Sequence, residues 1–591
     1  MTETATVWRY TAGALLCVSL VLGGWVRLSG LEAKSISHPE MYVPGIPLPE
    51  GISEPAPRMT VSRILTGTFS SDTHPPGYYL LMFPWTRVAG TSLRAIRLPS
   101  AVFGLASILL VFWLGSLAGW RLSGALAAAL LAFSGYHVFW SKVARMFAWN
   151  CFLGLAATVL LLVIARGRGP RPMLTPLYVI TILAGVASHV FFWSLFTVHM
   201  IWTLGNVRGG RELPDICRAQ LLAFVLGSPL LAFAAYQSGN TVAELSSNVV
   251  AFLAQFLPFA FALPDKTSGF FTSSVPFEGA LVFLAAKGIL LLLAVGLLAR
   301  GLRGLFRSPA ERPLLTAEPS RRRWWRLGWV SAGAIGTLEI GCFLLMVRQL
   351  PPEFINSTIR ITKLLLILPF TLTLVALLLD HYSSKLPELH LWKRIVAGEG
   401  ALLALLAVGP LILLAGFAQF RPILNERGFL FAAPYLLLAL AVGVVTLRRK
   451  VRIAALTPVL VLTCFASLKA YSGMMVDPAD YARFAHQITP EIRSSDLVFI
   501  HKAWYETPIL YYLRQDRYRL VGRNYEAVCS RDPDARVWVV LLYDSDPARD
   551  MQNALAGYRA VKTIAAPYAK AILYEHADWP KSNILSKTFE N

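Results

Sequence analysis

Charge is what this chain lacks. Only 15% of its 591 residues are charged, against about 25% in ordinary soluble domains, and mean hydropathy is +0.54. That balance excludes a soluble globular protein. Acids are scarcer than bases, 34 Asp and Glu against 55 Lys and Arg. Cysteine supplies no framework: Cys17, Cys151, Cys342 and Cys464 fall in apolar runs, Cys217 in a basic connection and Cys529 alone in the tail. With no CxxC pair and no metal-ligand spacing, neither a disulfide scaffold nor a zinc module is expected. GxGxxG and GxxxxGKS/T are both missing, which removes the usual nucleotide-binding signatures.

What fills the chain instead is apolar sequence between Trp8 and Tyr471. A span of the hydrocarbon core needs about 20 apolar residues at about 1.5 Å each. The runs place spans at 8–28, 98–117, 123–139, 146–165, 174–190, 192–206, 219–236, 279–299, 327–347, 361–379, 395–415, 429–447 and 453–471. The expected fold is thus a mostly α membrane protein, a polytopic bundle of about 13 transmembrane helices. The first run has a sparse basic flank and no small-residue cleavage site, and reads as a retained anchor.

The net charge of +21 invites a nucleic-acid reading, which its distribution opposes. Bases cluster in short connections: Arg166, Arg168 and Arg171; Arg208, Arg211 and Arg218; Arg300 to Arg326; Arg448, Arg449, Lys450 and Arg452. That is the positive-inside pattern of cytoplasmic loops. The parity holds only if 174–206 is two spans turning near Ser188-His189. The opposite face then receives the long loop 29–97, the loop 237–278, short connections near 140–146, 348–360 and 416–428, and everything after Tyr471. Within the first loop, Val61–Phe69 and Tyr78–Val88 read as amphipathic surface helices. Residues 1–471 form the transmembrane domain, and 472–591 read as a soluble α/β domain on the extracytoplasmic side. There Asp496–Ile500, Val537–Tyr543 and Ala571–Tyr574 read as strands, with helices after Asp477, at Thr507–Leu513 and at Pro547–Tyr558.

Ionisable residues near a membrane surface cost desolvation, so their positions are informative. The first loop carries Ser37-His38-Pro39-Glu40-Met41-Tyr42 and Ser71-Asp72-Thr73-His74-Pro75-Pro76-Gly77-Tyr78-Tyr79. Glu40 or Asp72 could accept a proton from an acceptor hydroxyl as general base. The plainer alternative is a solvated loop acid beside structural histidines. His38, Glu40, Asp72 and His74 are also ligand types suited to zinc or manganese; their loop-defined spacing does not support it, so no metal or other cofactor is predicted. On the same face stand Lys142 and Arg145, then Arg348 and Arg360, then Arg421 and Arg427. Guanidinium offers a bidentate fork that matches phosphate oxygens; snorkelling to lipid headgroups is the alternative.

These residues are also where a family resemblance appears. His74-Pro75-Pro76-Gly77-Tyr78-Tyr79, Arg97-Leu98-Pro99-Ser100-Ala101-Val102-Phe103-Gly104, Ser141-Lys142-Val143-Ala144-Arg145-Met146-Phe147, Arg427 to Pro434 and Tyr511-Tyr512-Leu513 follow one another. In order and spacing the chain resembles the polytopic glycosyltransferases of the GT-C fold. The branch is family 39, with bacterial lipid A aminoarabinose transferases and protein O-mannosyltransferases. The family commonly has Asp-Glu in the first loop; Pro39-Glu40 stands there here, and Val143 stands where a glutamate often precedes Ala-Arg-Met. The resemblance implies a polyprenyl-phosphate-linked sugar as donor, inversion at the anomeric carbon, and a glycan, lipid or protein acceptor. It implies Glu40 as base, with Asp72 in reserve. His38, His74, Tyr78, Lys142, Arg145, Arg360 and Arg427 would serve the phosphate and substrate. The location implied is the inner (plasma) membrane. The alternatives are a transporter or flippase of lipid-linked sugars, for which no internal repeat is seen, and a scaffold acting through its tail.

Overall fold

The computed structural model describes residues 3–46, 60–62, 64–65, 74–167, 171–206, 215–237, 248–249, 252–253, 256–257, 277–307, 398–419, 423–448, 450–452, 480–501, 506–513, 519–520, 535–542, 549–566 and 569–576. The spans expected at 327–347, 361–379 and 453–471 lie outside these residues, as do Asp72, Arg348, Arg360 and Arg421.

The described residues fall into two compact units. The first comprises 1–29, 68–81 and 97–473 and is helical. Its helices are α1 (Glu3–Leu28), the start of α2 (Gly77–Ala89), most of α3 (Leu93–Leu117), α4 (Arg121–Ala132), α5 (Gly135–Ser141), α6 (Met146–Ala165), α7 (Arg171–Val186), α8 (Phe192–Asn206), α9 (Asp215–Gln237), α10 (Phe277–Phe306), α11 (Gly398–Ala418) and α12 (Ala433–Val445), the last preceded by a 3-10 turn, Glu426–Ala432. Among the described residues five helices are long and apolar enough to cross a membrane, or six if the bent pair α4–α5 is one span. The chain is an integral membrane protein.

The single span expected at 123–139 is instead broken. α4 ends at Ala132, α5 starts after Ser134, which caps His137 N–H, and the two are bent by 63°. A helix end leaves carbonyls without intrahelical donors, and here Arg27 answers them. Its Nη1 donates to Ala132 O (2.9 Å) and Gly23 O (3.0 Å), and its Nη2 to Leu131 O (3.0 Å) and His137 Nδ1 (2.8 Å). Where a pair of short spans was expected at 174–190 and 192–206 stand two helices, α7 and α8, and the chain turns between them at Ala187–Phe191.

Helix contacts depend on small residues and on internal polar bonds. A Cβ on Gly301 would lie 1.7 Å from Ala439 O, and one on Gly443 1.9 Å from Leu297 O, so α10 and α12 meet backbone to backbone. Deeper in the bundle, Thr158 Oγ1 lies 3.0 Å from His199 Nε2 and 2.7 Å from the Tyr435 hydroxyl, while His199 Nδ1 faces Tyr178 Oη at 3.1 Å. Such bonds tie helices where apolar packing gives no preference over lipid. One end of the bundle is fixed by the Arg166–Glu399 ion pair and by Trp202 Nε1, which donates to Gly398 O.

The second unit comprises 30–67, 82–96 and 474–591. Its centre is a five-stranded sheet ordered β2 (Arg519–Leu520), β1 (Leu497–His501), β3 (Val537–Leu542), β5 (Ala569–His576), β4 (Tyr558–Ala566). β1 pairs in parallel with β2 and β3; β5 runs antiparallel to β3 and β4. Alternate β3 residues pack into opposite layers. Trp538, Val540 and Leu542 join Phe484 and Ile488 of α13 (Tyr481–Ile488) and Ile509 and Leu510 of α14 (Glu506–Leu510). Val537, Val539 and Leu541 join Met551 of α15 (Arg549–Ala554). Asp480 caps α13 through Arg483 N–H. Part of the first loop belongs to the same unit: Ile36 N–H donates to Tyr512 Oη (2.8 Å), and Ser35 Oγ accepts from Ala482 N–H (3.2 Å).

Candidate functional site

At the other end of the helical unit the expected cations meet aromatic side chains. Pro75 and Pro76 delay helix formation until Gly77, where α2 begins. Gly77 N–H donates to Ala187 O at 2.7 Å, and a Cβ at Gly77 would stand 2.6 Å from that oxygen. The glycine therefore seats His74-Pro75-Pro76-Gly77 against the α7–α8 turn, a close approach that only glycine permits.

Two tyrosines follow. Tyr78 is buried, with its hydroxyl 3.4 Å from Ser100 Oγ. Tyr79, also buried, accepts from Arg145 Nη1 at 2.8 Å. Arg145 itself stands at the N-cap of α6 in extended conformation, where the partial positive charge of the helix start adds to that of the guanidinium. Tyr79 was not singled out from sequence, though it adjoins Tyr78.

His189 completes the group and was also missed, having been read only as part of a turn. It is 8% exposed. Its ring centroid lies 6.0 Å from His74, 5.8 Å from Phe147 and 5.0 Å from Phe191. Burial, then His74, Arg427 and Arg145, hold its pKa well below the usual histidine range. The signal available in sequence was a histidine in the one turn that parity places on the same face as Arg145.

Arg427 is mounted on the 3-10 turn. Asn425 Oδ1 accepts its backbone N–H (3.1 Å), and Tyr136 Oη donates to Glu426 O. Phe429 anchors the turn against Phe191, Phe252 and Phe256 at 4.8–5.6 Å between ring centroids. Gly428 leaves no room for a side chain, since a Cβ there would be 2.6 Å from the Phe191 ring and 3.2 Å from His189 Cε1.

The remaining candidates are placed differently. Lys142 is buried, and its Nζ donates to Ser29 O (2.6 Å) and Val26 O (3.4 Å) at the end of α1. In the second unit, Glu40 is fully buried; its Oε2 accepts from both Ser37 N–H and Ser37 Oγ at 2.9 Å. This capping box closes a 3-10 turn, His38–Tyr42. His38 packs edge-on to Tyr42, with Nε2 3.3 Å from the Tyr42 hydroxyl. Among the described residues no three His, Cys, Asp or Glu side chains gather as metal ligands.

The Arg145–Tyr79–His189–His74–Arg427 group can bind an anion. Two guanidiniums supply charge and planar donor sets, and aromatic walls lower the local dielectric, which strengthens each interaction.

No protein-family model and no curated protein matches the chain. Among solved structures it is similar to ArnT from Cupriavidus metallidurans bound to undecaprenyl phosphate, at 12% identity and a TM-score of 0.40 over 98% of this chain and 99% of that one. It is similar to the arabinofuranosyltransferase AftD from Mycobacteria, at 13% and 0.43 over 96% of this chain and 40% of that one. A third is the oligosaccharyltransferase AglB from Archaeoglobus fulgidus, in complex with an inhibitory peptide and a dolichol-phosphate, at 12% and 0.42 over 97% and 75%. These neighbours are all glycosyltransferases of the GT-C fold, the class that the sequence motifs resemble, and likeness at this level carries no argument about the chemistry.

Proposed function

We propose that the chain is a membrane glycosyltransferase that moves a sugar from a polyprenyl-phosphate donor to an acceptor hydroxyl. The observation that carries this reading is the cationic, aromatic-walled group around Arg145 and Arg427 at one end of the helical unit. A lipid-linked phosphate is the anion such a place in a membrane protein can meet. The architecture proposed is of GT-C type, with about 13 spans, in the inner membrane, with the tail domain extracytoplasmic. No nucleic acid and no cofactor takes part.

In the proposed step the acceptor oxygen attacks the anomeric carbon as the bond to the phosphate oxygen breaks, and configuration inverts. The acceptor proton goes to Glu40, with Asp72 in reserve, and the electron pair of the broken bond stays on the departing phosphate. Arg145 and Arg427 stabilise that charge, helped by His74 and Tyr78; His38, Lys142 and Arg360 have the same role in the proposal. Preorganised donors aimed at developing charge are typically the largest catalytic contribution.

Glu40→Gln is a clean test, because a glutamine also serves a capping box. Reconstituted with radiolabelled polyprenyl-phosphate sugar, it should lose roughly 10²–10⁴-fold in turnover while melting as the wild type does. Near-normal transfer would exclude Glu40 as base. Movement of the sugar lipid across the bilayer without transfer by the wild type would favour a flippase.

A further inference from the structure

We propose that Asn150 is a sugar-binding residue, whose carboxamide takes a hydroxyl of the lipid-linked donor. The inference rests on the transferase reading and names the group that tells a glycosylated carrier from a bare one.

Three observations carry it. First, Asn150 lies in α6, is 4% exposed, and its Oδ1 is closed off without a hydrogen-bond partner. It is the exception on its helix. Trp149 Nε1 donates to Ser188 Oγ (3.1 Å), Cys151 Sγ stands 3.6 Å from His137 Nε2, and Thr158 Oγ1 is bonded to Gly154 O, His199 and Tyr435. An orphaned amide inside a membrane bundle is costly, and leucine would avoid the cost, so the position calls for a ligand that completes it.

Second, helical spacing sets Asn150 beneath the proposed phosphate site. It follows Arg145 by five residues, about 7.5 Å along the axis. It shares a face with Phe147, three residues earlier, whose ring centroid is 5.8 Å from that of His189. A sugar is joined to its phosphate through one oxygen, so its hydroxyls lie within that reach. Third, the same face continues to Leu153 and Gly154. A Cβ on Gly154 would stand 2.9 Å from Leu195 Cδ1 and 3.8 Å from Phe192 Cε2 and from Tyr435 Oη, the last already bonded to Thr158. An ordered water needs about two to four polar partners, which a face of Phe147, Leu153 and Gly154 does not supply. A sugar brings hydroxyls on its edge and C–H groups on its faces, and so suits one amide set among aromatic and aliphatic side chains.

The amide also selects a hydroxyl over an ion. Its two ends have nearly the same shape and exchange by rotation. A hydroxyl both donates and accepts, so it satisfies whichever end is closed off, and two neighbouring hydroxyls satisfy both. An anion would serve only Nδ2, and an ammonium only Oδ1.

The test measures binding of undecaprenol, undecaprenyl phosphate, and undecaprenyl-phosphate-linked arabinose, mannose and glucose to full-length protein in detergent. The wild type should bind at least one sugar lipid more tightly than undecaprenyl phosphate. Asn150→Leu and Asn150→Ala should lose roughly 5- to 100-fold in affinity for that sugar lipid, the range for a hydroxyl left without its buried partner, and should bind undecaprenyl phosphate within about twofold of wild type. Asn150→Leu should melt no earlier than wild type, because an apolar group of similar size leaves nothing unpaired.

Full sugar-lipid affinity in both variants would overturn the proposal. So would equal losses for the sugar lipid and the bare phosphate, which would make Asn150 a structural support. A wild type that binds none of the three sugar lipids better than undecaprenyl phosphate would also overturn it, and would leave the phosphate site standing. If undecaprenyl phosphate binds no better than undecaprenol, the phosphate reading itself fails, a result distinct from loss of the Asn150 contribution alone.

Discussion

The bond from Arg145 Nη1 to Tyr79 Oη, 2.8 Å and buried on both sides, makes the proposed phosphate site measurable. Tyr79→Phe keeps the ring and its edge contact with Tyr78, and removes the hydroxyl that accepts from Arg145 Nη1. A hydrogen bond to a charged group contributes about 1.5–3 kcal/mol, and about 1.4 kcal/mol is tenfold in affinity. Because the guanidinium itself remains, the lower end applies, and binding of undecaprenyl phosphate should weaken roughly tenfold. Arg145→Lys keeps the charge but loses the planar fork, and should cost roughly 10- to 100-fold. In the double variant there is no guanidinium left to aim, so its loss should not exceed that of Arg145→Lys alone. The cycle should close with a coupling of about 1–3 kcal/mol. Equilibrium binding of radiolabelled undecaprenyl phosphate to detergent-purified protein, at one fixed salt concentration, measures all four corners. Strictly additive losses would refute the claim that Tyr79 acts through Arg145, and full affinity in Arg145→Lys would remove Arg145 from the site.

Three further outcomes are expected. Tyr512→Phe strips the acceptor from Ile36 N–H, a buried orphan worth about 1–3 kcal/mol; it should lower the melting temperature and kcat while leaving unchanged the lipid-phosphate affinity proposed for the helical unit. Gly443→Ala drives a methyl into Leu297 O and should destabilise the protein by about 1–3 kcal/mol, read as earlier thermal unfolding in detergent; an unchanged melt would mean that α10 and α12 are not packed as described. His189, its pKa lowered by burial and cations, takes up a proton more readily when unfolded. Its contribution is therefore complete above the unfolded value near 6.5 and falls as pH drops below it, by up to about 1.4 kcal/mol per pH unit. Between pH 7 and 5, wild type should lose more stability than His189→Gln; parallel losses would contradict the buried neutral ring.

Hydrophobic runs were enough to place α1, α3, α6, α11 and α12 within a few residues, because each is a single apolar stretch with polar flanks. They could not reveal the break after Ala132. Phe133-Ser134-Gly135 interrupts neither length nor hydropathy, and the residue that stabilises the bend, Arg27, is over a hundred positions away. β4 was invisible for a different reason: its side chains are mostly exposed, so no period-two pattern marks it, and its first residue had been assigned to a helix. Arg145 and Arg427 were singled out by the parity reading, which put both on one face, and the structure brings both near His189. His189 was not, because an isolated histidine at a turn has no partner in sequence. The grouping of 30–67 with 474–591 was equally out of reach, as Ile36 and Tyr512 meet across a separation of 476.

Arg27 sets a condition on how the protein is made. Its acceptors at Leu131 and Ala132 come 104 and 105 positions later, which at about 5–20 residues per second is roughly 5–20 s of synthesis. During that interval α1 must wait in the bilayer with a cation in its last turn, and the long side chain can keep its head in the headgroup layer. Only when the bent α4–α5 pair emerges can the guanidinium leave water, so the nascent first helix stays shallow until a later segment pulls its charge inside.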